Sequence, residues 1–452
     1  MNRVSAFFTR VFEYAVPDPY VFAAGLTLLT ALLAFIFAPH HAPSQVAAAW
    51  YNGIFDILAF ALEMILILVT GYALAASAPV ANLLRRIASW PQTPKGAVSL
   101  TFLVSALACW LNWGFGLVVA GLLAREISKR MRIDFGWLVA AAYSGFLIWA
   151  SGLSSSIALA QATPGSKLNI VQSLTGHILP IGSTIFTAFN LVPVIVLLVV
   201  MPFVLRALEP SDVVVACHPE QSVPPSAERG VEGRPSEDEA RAHTLASALE
   251  NAWILNVVIA LAGLAYIAWT WTTAGFSLDI NSVIFIFFGA GLLLHWRPAA
   301  YAGAVNEAAR ITGPLILQYP LYGGIMGMMT ATGLAGVIAQ WFDAFSTAAT
   351  LPFWSYVSSI VISLFVPSGG GHWAVQGPFA VPAAVKMHAS LPATAMGVAM
   401  GEQVANMIQP FWALPVLAIA GVGLRRVMAF TVVSFAVAFA VFGISLLFLI
   451  PR

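Results

Sequence analysis

Four stretches of this sequence place polar residues beside helix-breaking residues inside otherwise apolar segments. They are Asn112 to Gly116, Ser151 to Ser156, Pro367 to His372, and Gly401 to Pro410. Backbone released from helical hydrogen bonding at membrane depth is tolerated only where it is buried in protein or lines a cavity. Helices that start at such breaks present unpaired N–H groups and a positive dipole end. These stretches therefore predict a site for a small anion such as a carboxylate.

Hydroxyl, amide and glycine residues at these breaks are the candidate ligands. Ser, Asn and Gln side chains can donate hydrogen bonds to a carboxylate, and their oxygens can also hold a cation. Each such residue taken alone is more often a helix-packing residue, so the prediction depends on the whole set. The candidate substrate-binding residues are Asn112, Gly114, Gly116, Ser154, Ser155, Ser156, Ser368, Gly369, Gly370, Gly371, His372, Gln376, Gln403, Asn406 and Gln409.

Titratable residues inside apolar segments are the candidates for carrying a coupling cation. Glu402 lies in the last break, Glu63 lies in the middle of an apolar run, and His372 follows three glycines. An ionisable residue within a membrane segment is a functional candidate by default, and histidine titrates near neutral pH. The alternatives are a structural hydrogen bond for Glu402, a scaffold bond for Glu63 and a simple anchor for His372. Proton and sodium coupling both stay open, the latter with sodium held at the tips of the two interrupted stretches.

The composition places these breaks in a membrane protein. Of the 452 residues, 60% are hydrophobic and 9% are charged, and the mean hydropathy is +0.87, whereas charged residues make up about 25% of a soluble domain. A net charge of +1 without a sustained basic face argues against nucleic acid as a partner. Cys109 and Cys217 are the only cysteines, too few for a disulfide framework. No cofactor is predicted.

Apolar runs of about 20 residues, the length of a membrane span, predict an all-α polytopic membrane protein. Two further apolar stretches, 97–124 and 353–384, are interrupted midway and are predicted to be re-entrant hairpins. The nine predicted spans lie near 20–38, 57–78, 136–160, 183–205, 251–270, 281–296, 313–334, 393–424 and 429–451.

Clusters of Lys and Arg determine the expected orientation, because these residues are enriched in cytoplasmic loops. Basic pairs such as Arg85 with Arg86 and Arg425 with Arg426 fall on the same face as the charged 206–250 loop. This holds only if both interrupted stretches enter and leave on one face. The N-terminus and the 206–250 loop are therefore predicted to be cytoplasmic.

A weak internal duplication, at an offset of about 255 to 262 residues, relates the two halves. The break at Asn112 corresponds to the break at Ser368, and each half also contains a broken transmembrane helix. Because one extra span intervenes, the repeats have inverted topology, as in many secondary transporters. The predicted organisation is a first repeat over 1–205 with its hairpin near 97–124, a cytoplasmic loop over 206–250, a linking transmembrane helix over 251–272, and a second repeat over 273–452 with its hairpin near 353–384.

The motifs also resemble those of the short-chain fatty acid transporter family, the AtoE type, over nearly the whole chain. The resemblance implies uptake of short-chain fatty acids such as acetoacetate or butyrate across a bacterial inner membrane. A looser similarity to the hairpin-containing ion-transporter superfamily implies elevator movement and a possible homodimer. The likeness is carried by Pro17-Asp18-Pro19, Val69-Thr70-Gly71, Asn112-Trp113-Gly114-Phe115-Gly116, Ala162-Thr163-Pro164-Gly165, Pro367 to Trp373, Gln376-Gly377-Pro378-Phe379 and Gly401 to Pro415.

Two other classes of function compete with cation-coupled transport. An intramembrane hydrolase would use a serine of the 154–156 group as nucleophile and His372 as base. An inverted repeat is explained by alternating access and is not required for hydrolysis, so the sequence favours transport over an enzyme. A passive channel is the third alternative. The sequence leaves open the preferred chain length, the coupling ion and the direction of net flux.

Overall fold

The computed structural model describes residues 19–210 and 244–451, apart from 365, 367, 410, 411 and 421. The first 18 residues and most of the 206–250 loop, both predicted to be cytoplasmic, lie outside the described residues. Every regular element of the described residues is a helix. The all-α fold class is therefore confirmed for this part of the chain.

The two halves have similar element orders. In the first half the helices are α1 (Pro19–Phe37), α2 (Pro43–Asp56), α3 (Leu58–Ala75), α4 (Ala78–Ile87), α5 (Pro94–Leu111), α6 (Trp113–Ser128), α7 (Phe135–Ser144), a 3-10 helix (Gly145–Ser151), α8 (Ser156–Ala162), α9 (Ile170–Thr175), α10 (Ile181–Thr184) and α11 (Ala188–Ala207). In the second half they are α12 (Leu245–Glu250), α13 (Trp253–Ala274), α14 (Ile280–His295), α15 (Pro298–Ala309), α16 (Gly313–Ala331), α17 (Leu334–Asp343), α18 (Leu351–Ser363), α19 (Gly369–Lys386), α20 (Leu391–Ala405), α21 (Ala413–Ala420) and α22 (Leu424–Phe448).

Several helices are long and apolar enough to cross a membrane, which makes this a multi-pass membrane protein. Among the described residues six segments meet both conditions, and three shorter apolar helices lie at Ala23–Phe37, Ile280–His295 and Leu351–Ser363. The count of nine spans stays a prediction. The six segments are Pro43–Ala75, Pro94–Leu111, Phe135–Ala162, Ala188–Ala207, Trp253–Ala274 and Arg426–Phe448.

Local sequence signals explain where many of these helices begin. Proline, which lacks an N–H group and suits the first turn of a helix, opens α2, α5 and α15. Asp134 Oδ1 accepts a hydrogen bond from Trp137 N at 2.9 Å at the start of α7. Asp279 Oδ1 accepts one from Ser282 N at 2.8 Å at the start of α14. These caps satisfy N–H groups that would otherwise be unpaired.

Six helices lie mainly in stretches that the sequence assigns to loops, connections or the ends of spans. They are α2, α4, α9, α12, α15 and α17. The clearest is α4, which has one apolar face and carries Arg85 and Arg86 in its last turn, a pattern typical of a helix that lies at the membrane surface. These segments contain too few apolar residues for a membrane span, so the sequence did not mark them as helices.

Helix contacts recur between the halves. In the first half α3 packs against the hairpin helix α6, and in the second half α16 packs against the hairpin helix α19. Each also packs against helices of the opposite half, α3 against α14 and α15, and α16 against α1 and α2. The equivalent contacts agree with the duplicated sequence pattern, and the inverted orientation of the two repeats stays a prediction.

Glycines let α2 and α16 approach each other closely. A Cβ added to Gly53 would lie 2.4 Å from Gly323 O and 2.9 Å from Gly327 Cα. A Cβ added to Gly327 would lie 2.3 Å from Ala49 O. Such distances leave no room for a side chain, so the two backbones are in direct contact, as is common between small residues of membrane helices.

Candidate functional site

The two predicted hairpin tips share one backbone conformation. Asn112 separates the packed pair α5 and α6, with φ −155° and ψ 125°. Ser368 precedes α19, which packs against α18, with φ −153° and ψ 120°. In each case one extended residue turns the chain into the N-terminus of a buried helix. The predicted equivalence of the two breaks is therefore matched at the level of backbone angles.

Residues around the first tip cap the N-terminus of α6. Asn112 Oδ1 accepts a hydrogen bond from Phe115 N at 2.9 Å, and Ser154 Oγ accepts one from Trp113 N at 2.9 Å. Gly114 packs against Leu68, and Gly116 packs against Cys109, each too closely for a Cβ. The first tip is thus tightly packed, and two of its N–H groups already have partners.

The second tip leaves the start of α19 without a side-chain cap. The Ser368 hydroxyl donates to Tyr319 Oη at 3.0 Å instead of accepting from the helix. Because α19 spans 18 residues, its N-terminus carries a positive dipole end that suits an anion. The two tips therefore differ: the second is the better candidate for a carboxylate.

The three glycines of the second tip contact different neighbours. A Cβ at Gly369 would lie 2.7 Å from the Trp149 ring, 2.9 Å from Ser156 Oγ and 3.2 Å from Glu402 Oε2. Gly370 lies against the ring of Phe60, and Gly371 lies against the ring of Tyr322. The sequence makes all three glycines candidates for close approach of a ligand. Only Gly369 has polar groups of the two broken helices beside it, Ser156 Oγ and Glu402 Oε2.

The two broken helices are hydrogen-bonded to each other where they are interrupted. Gln403 Oε1 accepts from Ser151 N at 3.0 Å, and Gln403 Nε2 donates to Ser151 Oγ at 2.8 Å. Trp149 Nε1 donates to Asn406 Oδ1 at 2.8 Å. The sequence pairs these breaks by the repeat offset, and the structure brings them into contact.

Replacing Gln403 with leucine is expected to lower the free energy of unfolding by about 1–3 kcal/mol, the cost of leaving a buried polar group unpaired. The change removes both bonds to Ser151 while keeping a similar volume. Thermal unfolding in detergent, compared with the same substitution at the exposed Gln92, measures the loss. An unchanged unfolding midpoint would contradict the structural role assigned to this bond pair.

His372 and Gln376 are bonded within the second hairpin. His372 Nε2 lies 3.0 Å from Ser359 Oγ and 2.6 Å from Gln376 Oε1. Gln376 Nε2 donates to Ser355 O at 2.9 Å, and Ser359 Oγ donates to Val398 O at 2.6 Å. These contacts suit an anchor that holds α19 against α18 and α20. Both residues stay in the predicted site, with this structural role beside the predicted one.

The serines proposed as hydrolase nucleophiles have other partners. Ser154 accepts a hydrogen bond from the first tip, and Ser155 Oγ accepts one from Ala158 N at 3.4 Å. The predicted substrate-binding residue Gln409 also has a partner elsewhere, because its Nε2 donates to Ser363 Oγ at 3.0 Å. No hydrogen bond among the described residues joins His372 to a serine of the 154–156 group, so this geometry offers no support for the hydrolase.

Glu402 is the most unusual titratable residue of the site. Its side chain is fully buried, and neither carboxyl oxygen has a hydrogen-bond partner among the described residues. A buried charge without a partner is costly, so a cation or a ligand is needed to satisfy this group. Glu63 on α3, the other glutamate predicted to carry the coupling cation, differs from Glu402. It is only half-buried, and it lies near Asp279.

A small cavity separates the two tips. It is lined by Ser156, Tyr319, Ser368 and Gly369 and by four further aromatic side chains. The space open to the centre of a water molecule is about 10 Å³, close to the minimum for one water. The site is therefore nearly closed in this conformation. The four rings belong to Trp113, Phe146, Trp149 and Trp412.

These aromatic residues were missed as site residues in the sequence. Trp and Phe in a membrane protein are usually placed at the lipid interface, and nothing in their spacing sets these four apart. Their positions within or near the breaks were the only available signal.

The described residues also hold no group of three or more His, Cys, Asp or Glu side chains that could bind a metal ion, so sodium at the tips stays a prediction.

Comparison with known proteins decides the family. The sequence model described as "Short chain fatty acid transporter" matches residues 1–449. The chain belongs to the short-chain fatty acid transporter family. It is 42% identical to a protein of Escherichia coli (strain K12), with 99% of each chain covered. It is 36% identical to a protein of Haemophilus influenzae (strain ATCC 51907), with 99% of this chain and 100% of that one covered. Both relatives are provisionally named short-chain fatty acid transporters. The predicted family is confirmed.

The fold of this family member is also similar to a solved structure. The chain resembles the crystal structure of the YdaH transporter of Alcanivorax borkumensis, with a TM-score of 0.58 and 16% sequence identity. The match covers 95% of this chain and 98% of the YdaH chain. At that identity the likeness concerns the fold alone. It supports the helical membrane architecture described above and says nothing of the substrate.

Proposed function

We propose that this short-chain fatty acid transporter family member carries small monocarboxylates, such as butyrate or acetoacetate, across the bacterial inner membrane by cation-coupled alternating access. The observation that carries the proposal is the close approach of a buried carboxyl group to an uncapped helix N-terminus. Gly369 opens α19 there, and Glu402 Oε2 would lie 3.2 Å from a Cβ on Gly369. One group suits an anion and the other suits a cation.

The substrate carboxylate is placed at the second tip. The N-terminus of α19 attracts negative charge, and Ser156 and Ser368 present hydroxyl groups to the same cavity. Asn112 Nδ2 and Asn406 Nδ2 are buried donors without partners among the described residues. Each is a further group that a bound carboxylate or a water could satisfy.

Coupling follows from the position of Glu402. A substrate carboxylate beside an ionised Glu402 would bring two negative charges together in a buried site, which strongly disfavours both charged forms. A proton on Glu402, or a sodium ion between the two carboxyl groups, removes that repulsion. Substrate and cation therefore bind together and move together. We favour the proton, because Glu402 is a titratable group that is fully buried.

Alternating access is proposed from the two halves. Equivalent helices of each half make equivalent contacts, as expected for inverted repeats whose two hairpins are re-entrant and whose broken helices meet in the middle. An exchange of conformations between the halves would open the cavity to either face in turn. Elevator movement and assembly as a homodimer belong to the same proposal.

Uptake by the purified protein in liposomes tests the function. Labelled butyrate should enter faster than into protein-free liposomes, and an inward proton gradient should raise the initial rate severalfold while a sodium gradient should not. Stimulation by sodium alone would move the coupling to that ion. Uptake that never runs uphill would indicate a channel, and specific labelling by a serine-reactive hydrolase probe would count against transport.

The proposed topology has a separate test. Cysteines introduced as Gly230→Cys and Ala348→Cys, in a background without Cys109 and Cys217, are expected to react with an impermeant thiol reagent from opposite sides of the membrane. Ala348 is exposed between α17 and α18, and position 230 lies in the loop predicted to be cytoplasmic. Intact cells and inverted vesicles distinguish the two faces. Labelling of both positions from one face would contradict the inverted repeat.

A further inference from the structure

Trp113, Phe146, Trp149 and Trp412 form a ring of neighbouring aromatic side chains at the cavity, here called the aromatic box. The ring centroids of Trp113 and Trp149 are 6.3 Å apart, and those of Trp149 and Phe146 are 5.5 Å apart. The centroids of Phe146 and Trp412 are 6.1 Å apart, and those of Trp412 and Trp113 are 5.2 Å apart. Each ring therefore lies beside two others, and all four line the same cavity.

The box is made by the same broken segments that carry the polar groups. Trp113 begins α6 at the first tip, and Phe146 and Trp149 lie in the 3-10 helix. Trp412 lies between the broken helices α20 and α21. All four side chains are less than 10% exposed, so they face protein and not lipid. Rings buried at the centre of a membrane protein need a reason other than anchoring at the interface.

The cavity is lined by both polar and apolar groups. Ser156, Ser368 and Gly369 line it together with the aromatic box and the ring of Tyr319. A short-chain fatty acid combines the same two kinds of group, because a carboxylate is joined to an alkyl chain of a few carbons. Rigid aromatic rings set a fixed depth for such a chain, since they cannot shorten or fold away as flexible aliphatic side chains do.

We propose that the aromatic box binds the alkyl chain of the substrate and limits its length. This inference rests on the proposed function and adds the residues that select among fatty acids. Of the four rings, Trp149 also positions Asn406 through its indole N–H, so its removal would disturb more than the box. The test therefore shortens Trp412 and Phe146, which should enlarge the space for the alkyl chain.

Binding measured in detergent tests the box without the passive entry of free acids into liposomes. For each purified variant, Kd values for acetate, butyrate and hexanoate are obtained from ligand-dependent thermal stabilisation. In Trp412→Ala the ratio of the Kd for butyrate to the Kd for hexanoate is expected to rise roughly tenfold or more, because each added methylene contributes about fourfold when it becomes buried. Phe146→Leu should shift the ratio in the same direction by a smaller factor.

Trp354→Ala is the matched control. Trp354 packs against Phe345 and Phe353 on α18 and does not line the cavity, so the ratio should stay at the wild-type value. If Trp412→Ala fails to insert, Phe146→Leu carries the test. An unchanged ratio in the folded variants, or an equal loss of affinity for all three acids, would overturn the box as a length filter. A wild-type protein that binds none of the acids would instead refute the proposed function.

Discussion

Gly369→Val is expected to weaken butyrate binding at least a hundredfold while the protein still inserts into the membrane. The valine would project toward the Trp149 ring, Ser156 Oγ and Glu402 Oε2, which all lie within 3.2 Å of the Cβ position. It would therefore occupy the space beside the start of α19 where the carboxylate is proposed to bind. Thermal stabilisation by butyrate in detergent measures the loss.

Gly25→Val is the control for Gly369→Val. A Cβ on Gly25 has open space around it, so this variant should bind butyrate as the wild type does. Gly370→Val tests a different contact, because its side chain would meet the Phe60 ring at 2.1 Å and should impair folding as well as binding. Butyrate affinity that survives Gly369→Val would exclude the second tip as the carboxylate site.

Glu402→Gln is expected to abolish the stimulation of butyrate uptake by a proton gradient. Glutamine keeps the shape of the side chain, but it cannot carry a proton in one state and release it in another. Because glutamine is neutral, the substrate carboxylate can still bind beside it. The initial rate under an inward proton gradient should therefore fall severalfold, to the rate without a gradient, while exchange of labelled for unlabelled butyrate continues.

Glu63→Gln is the comparison for Glu402→Gln. Glu63 is half-buried on α3 and is not among the neighbours of Gly369, whereas Glu402 is, so its replacement should leave the proton stimulation intact. If Glu63→Gln removes the stimulation and Glu402→Gln keeps it, the proton pathway runs along α3 and not through the central site. If both variants keep it, neither carboxyl group carries the coupling proton.

The sequence predicted the breaks well because each carries a strong local signal. Gly, Pro, Ser and Asn residues inside an apolar run are hard to accommodate in a regular helix, so the breaks at Asn112, Ser151, Ser368 and Asn406 could be read directly, although the last helix continues through Glu402 to Ala405. Their pairing also followed from the repeat offset. What these signals indicate is where the helices stop, and they say little about which atoms meet there.

The details of the site depend on contacts that no local pattern encodes. Whether Ser368 caps its own helix or donates to Tyr319 is decided by a helix about 50 residues away in the chain. Gly370 and Gly371 resemble Gly369 in sequence, yet they face Phe60 and Tyr322. Trp412 and Phe146 look like lipid-facing residues until the fold brings them together. Long-range packing therefore determines which of these residues lie at the proposed ligand site and which only support the fold.

The bonds between the two broken helices also constrain how the protein can be made. Ser151 is separated by 252 residues from Gln403, the partner of its N–H and hydroxyl groups. At a synthesis rate of about 5–20 residues per second, the first half waits in the membrane for roughly 13–50 seconds before that partner emerges from the ribosome. During this interval its central polar groups need water or the insertion machinery as temporary partners. Neither half is a self-sufficient folding unit, so a gene split within 211–243 should yield stable protein only when both fragments are produced in the same cell.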